Sequence, residues 1–484
     1  MLFLGLLGCL PLAALTVEST PGALRSLIDD PAAVADLAVE GQIDASDLYF
    51  IGSELPALRS LDLSKAMIAA YEGPSINHSG SYPAAIIPPA SLAGLQIESI
   101  VLPASLAAIA DGAFAGTALA SVDIPADISL GHGAFAGCPA LARATVGSSS
   151  IGEGAFANCP ALVEVALEAP SIALSANAFT GCEALTTVDG SANISSIGPR
   201  AFAGCKSLED FAFGSSLQAI GDEAFAGSGL AAANLSECTS LPSVGRWAFA
   251  GCKSLASVDL GQAVPAEGAF FDCPALQEFQ ADAMTVIPSY AFAKNAQIDT
   301  TGIFTDRLAS IGSYALSHVA GATVITLPAT LTSIGMGAME YMTALNTINA
   351  TSPTPPALGS NVWEGVDVAS ATLYVPAQAA DAYREAEQWQ DFAIVEPTVN
   401  GSADISADIL PGLRARFVAK ELQIGIQDLE IASLSLFDPS GRLLIALEPN
   451  AELVAVDTSA FANDIFILVA SLSDGRRATL KISR

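Results

Sequence analysis

The chain has 484 residues, 51% of them hydrophobic and only 14% charged, which supplies a sizeable core and excludes global disorder. Its 19 basic residues stand against 50 acidic ones, and the net charge of −31 repels phosphodiester backbones and anionic lipid, so nucleic acid is excluded as a partner. Length alone suggests about three domains, a prior that holds only where no internal repeat divides the chain.

In chain order, residues 2–15, LFLGLLGCLPLAAL, form an apolar run followed by polar TVEST. The run is too short for a membrane span and suits the apolar core of a secretory signal. Residues 1–16 therefore read as an export signal cut near Ala14 or Thr16, although the basic residues usual before such a run are missing. LLGC, ending at Cys9, has the form of a lipoprotein box with a short lead-in. No later segment is an uninterrupted apolar run of membrane-spanning length, so an exported protein at the outer cell surface or beyond is expected. Residues 17–86 read as an N-terminal cap with the first strands. They contain the Gly-, Ser- and Pro-rich stretch YEGPSINHSGSYP with Tyr71, His78 and Tyr82, read as a connector.

Residues 87–397 are repetitive. Phe114, Phe135, Phe156, Phe179, Phe202, Phe225, Phe249, Phe270 and Phe292 share one register, which Leu92 extends backward and Leu316, Met339 and Trp363 extend forward, giving thirteen units 21–24 residues apart. An aliphatic residue stands five positions before most anchors, as at Ile109, Ile151 and Ile220, with Pro265 the exception. After the anchor comes a strand-like LxxVxL segment, such as LVEVAL at 162–167. Each unit reads as a short strand, a turn and an irregular or 3-10 arc. No such unit buries its apolar face alone, so the units must stack as a solenoid with the anchors in an internal ladder. At about 4.8 Å per unit the stack is roughly 60 Å long.

The GxG of Gly152 and Gly154 recurs at Gly131 and Gly133 and at Gly335 and Gly337. A phosphate loop is a single glycine turn feeding a helix, whereas a recurring one marks a turn in each unit. Cys138, Cys159, Cys182, Cys205, Cys252 and Cys273 each follow an anchor by three residues, with Ser228 at the same phase, which reads as a small, buried packing site. Without Cys9 seven cysteines remain, an odd number that argues against a complete disulfide framework, and no paired CxxC spacing suggests zinc. His78, His132 and His318 have no metal-motif spacing and there is no GxSxG elbow. No catalytic residue, metal or cofactor is expected, and the protein reads as non-enzymatic.

Stacked units align their outward strand positions into one surface, so the candidate binding face comprises Arg143, Glu164, Asp189, Asp210, Asp259 and Glu278, with Thr187 and Gln280 beside them. The segment ADAYREAEQWQDF at 380–392 has helical spacing at Ala382, Ala386 and Trp389 and reads as a cap over the last unit. Residues 398–410 form a polar linker. Residues 411–484 change to alternating strand-like runs with DPSG and SDG turns, which read as a small Ig-like β-sandwich.

The phrases VLPASLAAIADGAFAG (101–116), SSIGPRAFAGCKSLEDF (195–211) and LPATLTSIGMGAM (327–339) resemble the BspA-like leucine-rich repeat proteins of bacterial surfaces, over most of residues 30–397. That resemblance implies a leucine-rich repeat solenoid that binds an extracellular protein or glycan for adhesion, and implies no chemistry. The runs LSLFDPSGRLL and FILVASLSDGRRATLKI resemble the C-terminal sorting domain of the type IX secretion system of Bacteroidota, with ANDIFILV replacing the usual glycine and basic residues. This implies that residues 411–484 engage the secretion machinery. The alternatives are a structural envelope or assembly component without a discrete ligand and, third, a glycan-binding or hydrolytic protein.

Overall fold

The computed structural model describes residues 14–395 and, beyond them, 414–418, 421–426, 430–438, 442–458, 461, 465–473 and 477–483. The expected leader lies outside the described residues up to residue 13, as does the expected linker at 398–410.

The first described strand includes Leu15 and Thr16. Strand Leu15–Ser19 pairs in parallel with Asp36–Ile43, which continues through Ser60–Ile68 to Ser99–Val101, the first strand of the repeats. Two short helices, Leu24–Leu27 and Ala45–Glu54, are joined through one carboxylate. Asp47, only 1% exposed, accepts from the backbone N–H groups of Gly22 (2.8 Å), Leu24 (3.0 Å) and Asp44 (3.0 Å), while Asp44 caps the second helix in return. A lone buried carboxylate is costly, and here three N–H donors offset that cost. YEGPSINHSGSYP is an antiparallel hairpin, Tyr71–Ile76 with Ser79–Tyr82, pinned where the Asn77 amide donates to the Tyr49 hydroxyl at 3.1 Å and to the Pro89 carbonyl at 3.2 Å.

From residue 86 the chain winds as stacked coils, with three rows of backbone hydrogen bonds running between neighbours, the first of them interrupted at two coils. Strands after the anchors form a main parallel sheet that runs Ser121–Ile124, Arg143–Val146, Glu164–Leu167 and Thr187–Asp189. Shorter strands before the anchors, such as Ser150–Ile151 and Ile172–Leu174, form a second parallel row. The third row is at the anchors, where Phe135 N–H reaches the Ala155 carbonyl at 2.7 Å and Phe202 N–H the Ala224 carbonyl at 2.7 Å. The core lies between these rows. Rings from Phe114 to Phe292 are fully buried and stack face to face, with centroids 5.1–5.9 Å apart.

Two coils interrupt the main sheet. After Phe202 the inward positions carry Phe211 and Phe213, whose rings meet Phe202 and Phe225 edge-on at 5.1–5.6 Å, and residues 208–213 form no strand. Two large rings at one rung hold the backbone off the sheet, and the next coil answers with the small Ala233. After Phe292 the rung is a 3-10 turn, Thr300–Gly302, beside Phe279, which wedges edge-on against Phe270 and Phe292 at 5.5 and 4.6 Å.

The last coil is closed by the segment expected as a cap, with a correction to its buried face. The helix is only Ala380–Glu385, and it buries Ala380 and Tyr383, leaving Ala382 exposed. Trp389 lies beyond the helix, fully buried against Trp363 and Tyr383, and donates to the Pro356 carbonyl at 3.0 Å. The Gln388 amide stands in for the peptide of a further coil, accepting from Val362 N–H at 3.0 Å and donating to the Gly359 carbonyl at 2.7 Å. Beyond residue 413 the strands are antiparallel, in a three-stranded sheet (Arg414–Val418, Glu421–Gly425, Leu453–Asp457) and a four-stranded one (Leu443–Leu447, Ile431–Phe437, Ile465–Leu472, Arg477–Ser483). Their buried residues, among them Leu422, Leu436, Val456 and Leu468, form one cluster.

Candidate functional site

Alternation along each strand of the main sheet sends one set of side chains inward and the other to the surface. Parallel register then lines the outward set into two rows. Ser121, Arg143, Glu164 and Thr187 are register partners in one row, and Asp123, Thr145, Ala166 and Asp189 in the other. Past the first interruption, Ala232, Ser257 and Glu278 continue the first row and Asn234, Asp259 and Gln280 the second.

The six candidate residues therefore fall into separate groups. Arg143 and Glu164 are neighbours on adjacent strands and, with Ser121, Asp123 and Thr145, border a depression of about 220 Å³. Arg143 is exposed and, among the described residues, makes no ion pair, so its guanidinium is available to a ligand. Asp189 ends the same sheet. Asp259 and Glu278 belong to the next sheet, and the Asp259 carboxylate accepts from Gly261 N–H at 2.9 Å. Asp210, expected on an outward strand position, is exposed but sits on the rung where Phe211 and Phe213 prevent pairing, so no strand presents it.

Candidates for chemistry resolve into other roles. The seven described cysteines are buried free thiols. Each repeat thiol points at the preceding anchor's carbonyl, as Cys138 to Phe114 (3.2 Å), Cys159 to Phe135 (3.2 Å), Cys182 to Phe156 (3.1 Å), Cys205 to Phe179 (3.3 Å), Cys252 to Phe225 (3.1 Å) and Cys273 to Phe249 (3.1 Å). Asn295 makes the same bond to Phe270 at 2.9 Å. Burial pushes the Cys205 thiol up to about 12 and that of Cys252 to about 11, so neither is a nucleophile near neutrality. Ser317 stands 2.8 Å from His318 Nδ1 and 2.8 Å from the Glu340 carboxylate. A nucleophile–base–orienter relay places the imidazole between the other two, whereas here the hydroxyl lies in the middle. His132 is exposed beside Glu153 at 3.4 Å. Among the described residues no group of three or more His, Cys, Asp or Glu could hold a metal ion, and no helix is long and apolar enough to cross a membrane.

Sequence reasoning missed two features, both in the later coils. Trp247, Tyr290 and Tyr314 occupy the position two before the anchor, with Tyr290 and Tyr314 stacked at 5.1 Å and Lys294 over Phe271 at 5.0 Å. Tyr290 lies between Trp247, tilted against it at 5.9 Å, and Tyr314, so its own faces are taken up by these neighbours. The second feature is a groove of about 710 Å³ at the Thr300–Gly302 interruption, lined by Gln262, Gln280, Asp282, Thr305, Asp306 and Arg307 with Phe279 beneath. Its signal was present in DTTGIF, where Thr300 and Gly302 replace the strand pattern of the other units.

Solved structures with similar coils include a leucine-rich repeat protein from Bacteroides ovatus, 18% identical over 78% of this chain and 86% of that one, with a TM-score of 0.48. A leucine-rich cell surface protein from Faecalibacterium prausnitzii is 23% identical over 51% of this chain and 83% of that one, TM-score 0.31. The pneumococcal vaccine antigen PcpA is 12% identical over 79% and 83%, TM-score 0.26. No curated protein matches the chain. A profile described as the BspA type leucine rich repeat region matches in six copies over residues 82–186, 172–299 and 285–366. With its repeats matched over more than half its length and its anchors stacked coil upon coil, the chain belongs to the BspA-type leucine-rich repeat family.

Proposed function

We propose that this is an exported, non-enzymatic surface protein that binds an extracellular protein through the outward rows of its main sheet. The observation that carries the reading is Arg143, a guanidinium without an ion pair among the described residues, beside Glu164 at a depression on a parallel sheet. Arginine is enriched where protein interfaces concentrate their binding energy, and a fixed sheet minimises the ordering cost of association. Asp189 extends the face on the same sheet, while Asp259 and Glu278 form a second acidic patch for basic groups of the partner.

Export fits the same reading. Of the two expected cuts, the one at Ala14 fits the signal better, since a cut after Thr16 removes two residues from the paired strand Leu15–Ser19. Residues 411–484 act as a type IX sorting domain, its two antiparallel sheets packed as an Ig-like sandwich. Purified chain tested against extracellular-matrix proteins and host-cell surfaces is expected to show saturable binding that falls about tenfold or more in Arg143→Glu. Absence of binding, with self-association in the same preparation, would instead indicate a structural envelope component. Deleting residues 411–484 should leave the protein in the periplasm, and normal surface display of that truncation rules out the sorting role.

A further inference from the structure

The groove at the second interruption of the main sheet has the dimensions of a ligand site, because clefts that enclose small ligands span about 300–1,000 Å³. It exists for a packing reason. Phe279 occupies an inward position between Phe270 and Phe292, and the rung above turns as Thr300–Gly302. A Cβ at Gly302 would stand 2.2 Å from the Phe279 carbonyl oxygen, so the turn can lie this close only without a side chain. The wall recedes there and the flanking polar side chains face a hollow.

The lining has a particular chemistry. Gln262 and Gln280 contribute carboxamides, Asp282 and Asp306 carboxylates, Arg307 a guanidinium and Thr305 a hydroxyl. The amides and carboxylates end in planar groups with two polar atoms at fixed separation, and the guanidinium presents pairs of its three nitrogens in the same way, the geometry that meets two adjacent hydroxyls of one ring. They are partly organised in advance. Both amides approach the Asp282 carboxylate, Gln262 at 3.5 Å and Gln280 at 3.3 Å, and Arg307 donates to the Asp282 carbonyl at 3.1 Å. The amide contacts are long and leave most of each amide's capacity free. Thr305 Oγ1 is shielded from solvent without a hydrogen-bond partner among the described residues. Two carboxylates against one guanidinium disfavour an anion, and Phe279, only 6% exposed, provides a floor but no anchor for a large apolar side chain.

We propose that this groove binds a neutral sugar residue of an extracellular glycan, with Gln262, Gln280, Asp282 and Asp306 pairing with adjacent ring hydroxyls. The site goes beyond the Arg143 reading: it adjoins the Asp259 and Glu278 patch, since Gln280 is the register partner of Asp259, but lies six coils from the Arg143 depression, so the two are tested separately. Failure of either leaves the other standing.

The test is saturation-transfer NMR on the full chain with methyl glycosides of neutral hexoses and N-acetylhexosamines, followed by calorimetry with the matching neutral oligosaccharides. At least one glycoside should receive transfer at its ring C–H protons at concentrations on the order of 10 mM. The Q262A/Q280A double variant, altered at two exposed positions, should keep the parent melting temperature and lose about tenfold or more in affinity. R143E should leave this affinity unchanged. No transfer from any glycoside overturns the proposal, as does undiminished affinity in Q262A/Q280A. Displacement of nothing but a cationic peptide from the groove would assign it to a basic ligand and overturn the proposal equally.

Discussion

Cys159 and its equivalents hold a position that the sequence suggests is small and apolar, and the structure gives it a second role. Thr117, Ser228 and Asn295 fill the same phase with hydrogen-bond donors in three other coils, while Leu95, Val319, Met342 and Val366 fill it without one; in its own coil Cys159 Sγ donates to the Phe135 carbonyl at 3.2 Å. The thiol is therefore a buried donor to the carbonyl of the coil before it. Cys159→Ser should be close to neutral, whereas Cys159→Val, of similar bulk, should lose about 1–3 kcal/mol in urea unfolding because it leaves the Phe135 carbonyl short of a partner. The same burial governs reactivity and pH dependence. Alkylating agents should label none of the seven described cysteines in the folded protein and all of them in denaturant. Since the folded thiols of Cys205 and Cys252 lie at about 12 and 11 against an ordinary 9.0, their contribution is complete below pH 9 and is lost as pH rises through 9 toward those values. The unfolded chain releases those protons first. Melting temperature should therefore fall between pH 8 and 10.5, and fall less in the C205S/C252S double variant.

Within a coil, the turn before the anchor asks for glycine for two different reasons. At Gly152 an added Cβ would stand 2.3 Å from the Leu130 carbonyl oxygen of the previous coil. At the position two before the anchor the constraint is conformational: Gly154 has φ +60° and Arg200, Glu223 and Trp247 adopt φ +55° to +56°. Non-glycine residues are tolerated there at a cost of about 1–2 kcal/mol, since the space is open. Gly152→Ala should accordingly destabilise more than Gly137→Ala, where φ is +69° and nothing lies within 4 Å, and thermal melts of the two variants decide it. The anchor is costlier to change than either turn. Phe179→Ala removes a ring stacked on both neighbours and should cost about 3–5 kcal/mol in chemical denaturation.

Along the whole molecule each coil contacts only the coils beside it, so stability depends on how the ends are closed. The C-terminal end is sealed by Trp389, Tyr383 and the Gln388 amide. Trp389→Ala should destabilise by about 3–5 kcal/mol, and amide exchange should accelerate first in strands Thr372–Tyr374 and Ala393–Val395 before it reaches the middle coils. Uniform acceleration along the chain would show instead that the solenoid opens as one unit.

The sequence by itself determined the repeat, its phase and the inward set, because a 21–24-residue period with one large apolar anchor per unit permits only stacking. The outward positions of Arg143, Glu164 and Asp189 followed from strand alternation once that phase was known. Tertiary structure alone decided where the sheet breaks. Phe211 and Phe279 stand at the V position of the LxxVxL pattern, and only their collision with the neighbouring anchor rings moves Asp210 off the sheet and opens the groove beside Gln280. It also decided the role of the cysteines, since a hydrogen bond from one coil to the carbonyl of the coil before it joins residues some two dozen positions apart. Periodicity records what every coil shares. What a single coil does differently depends on the shapes of the two coils packed against it.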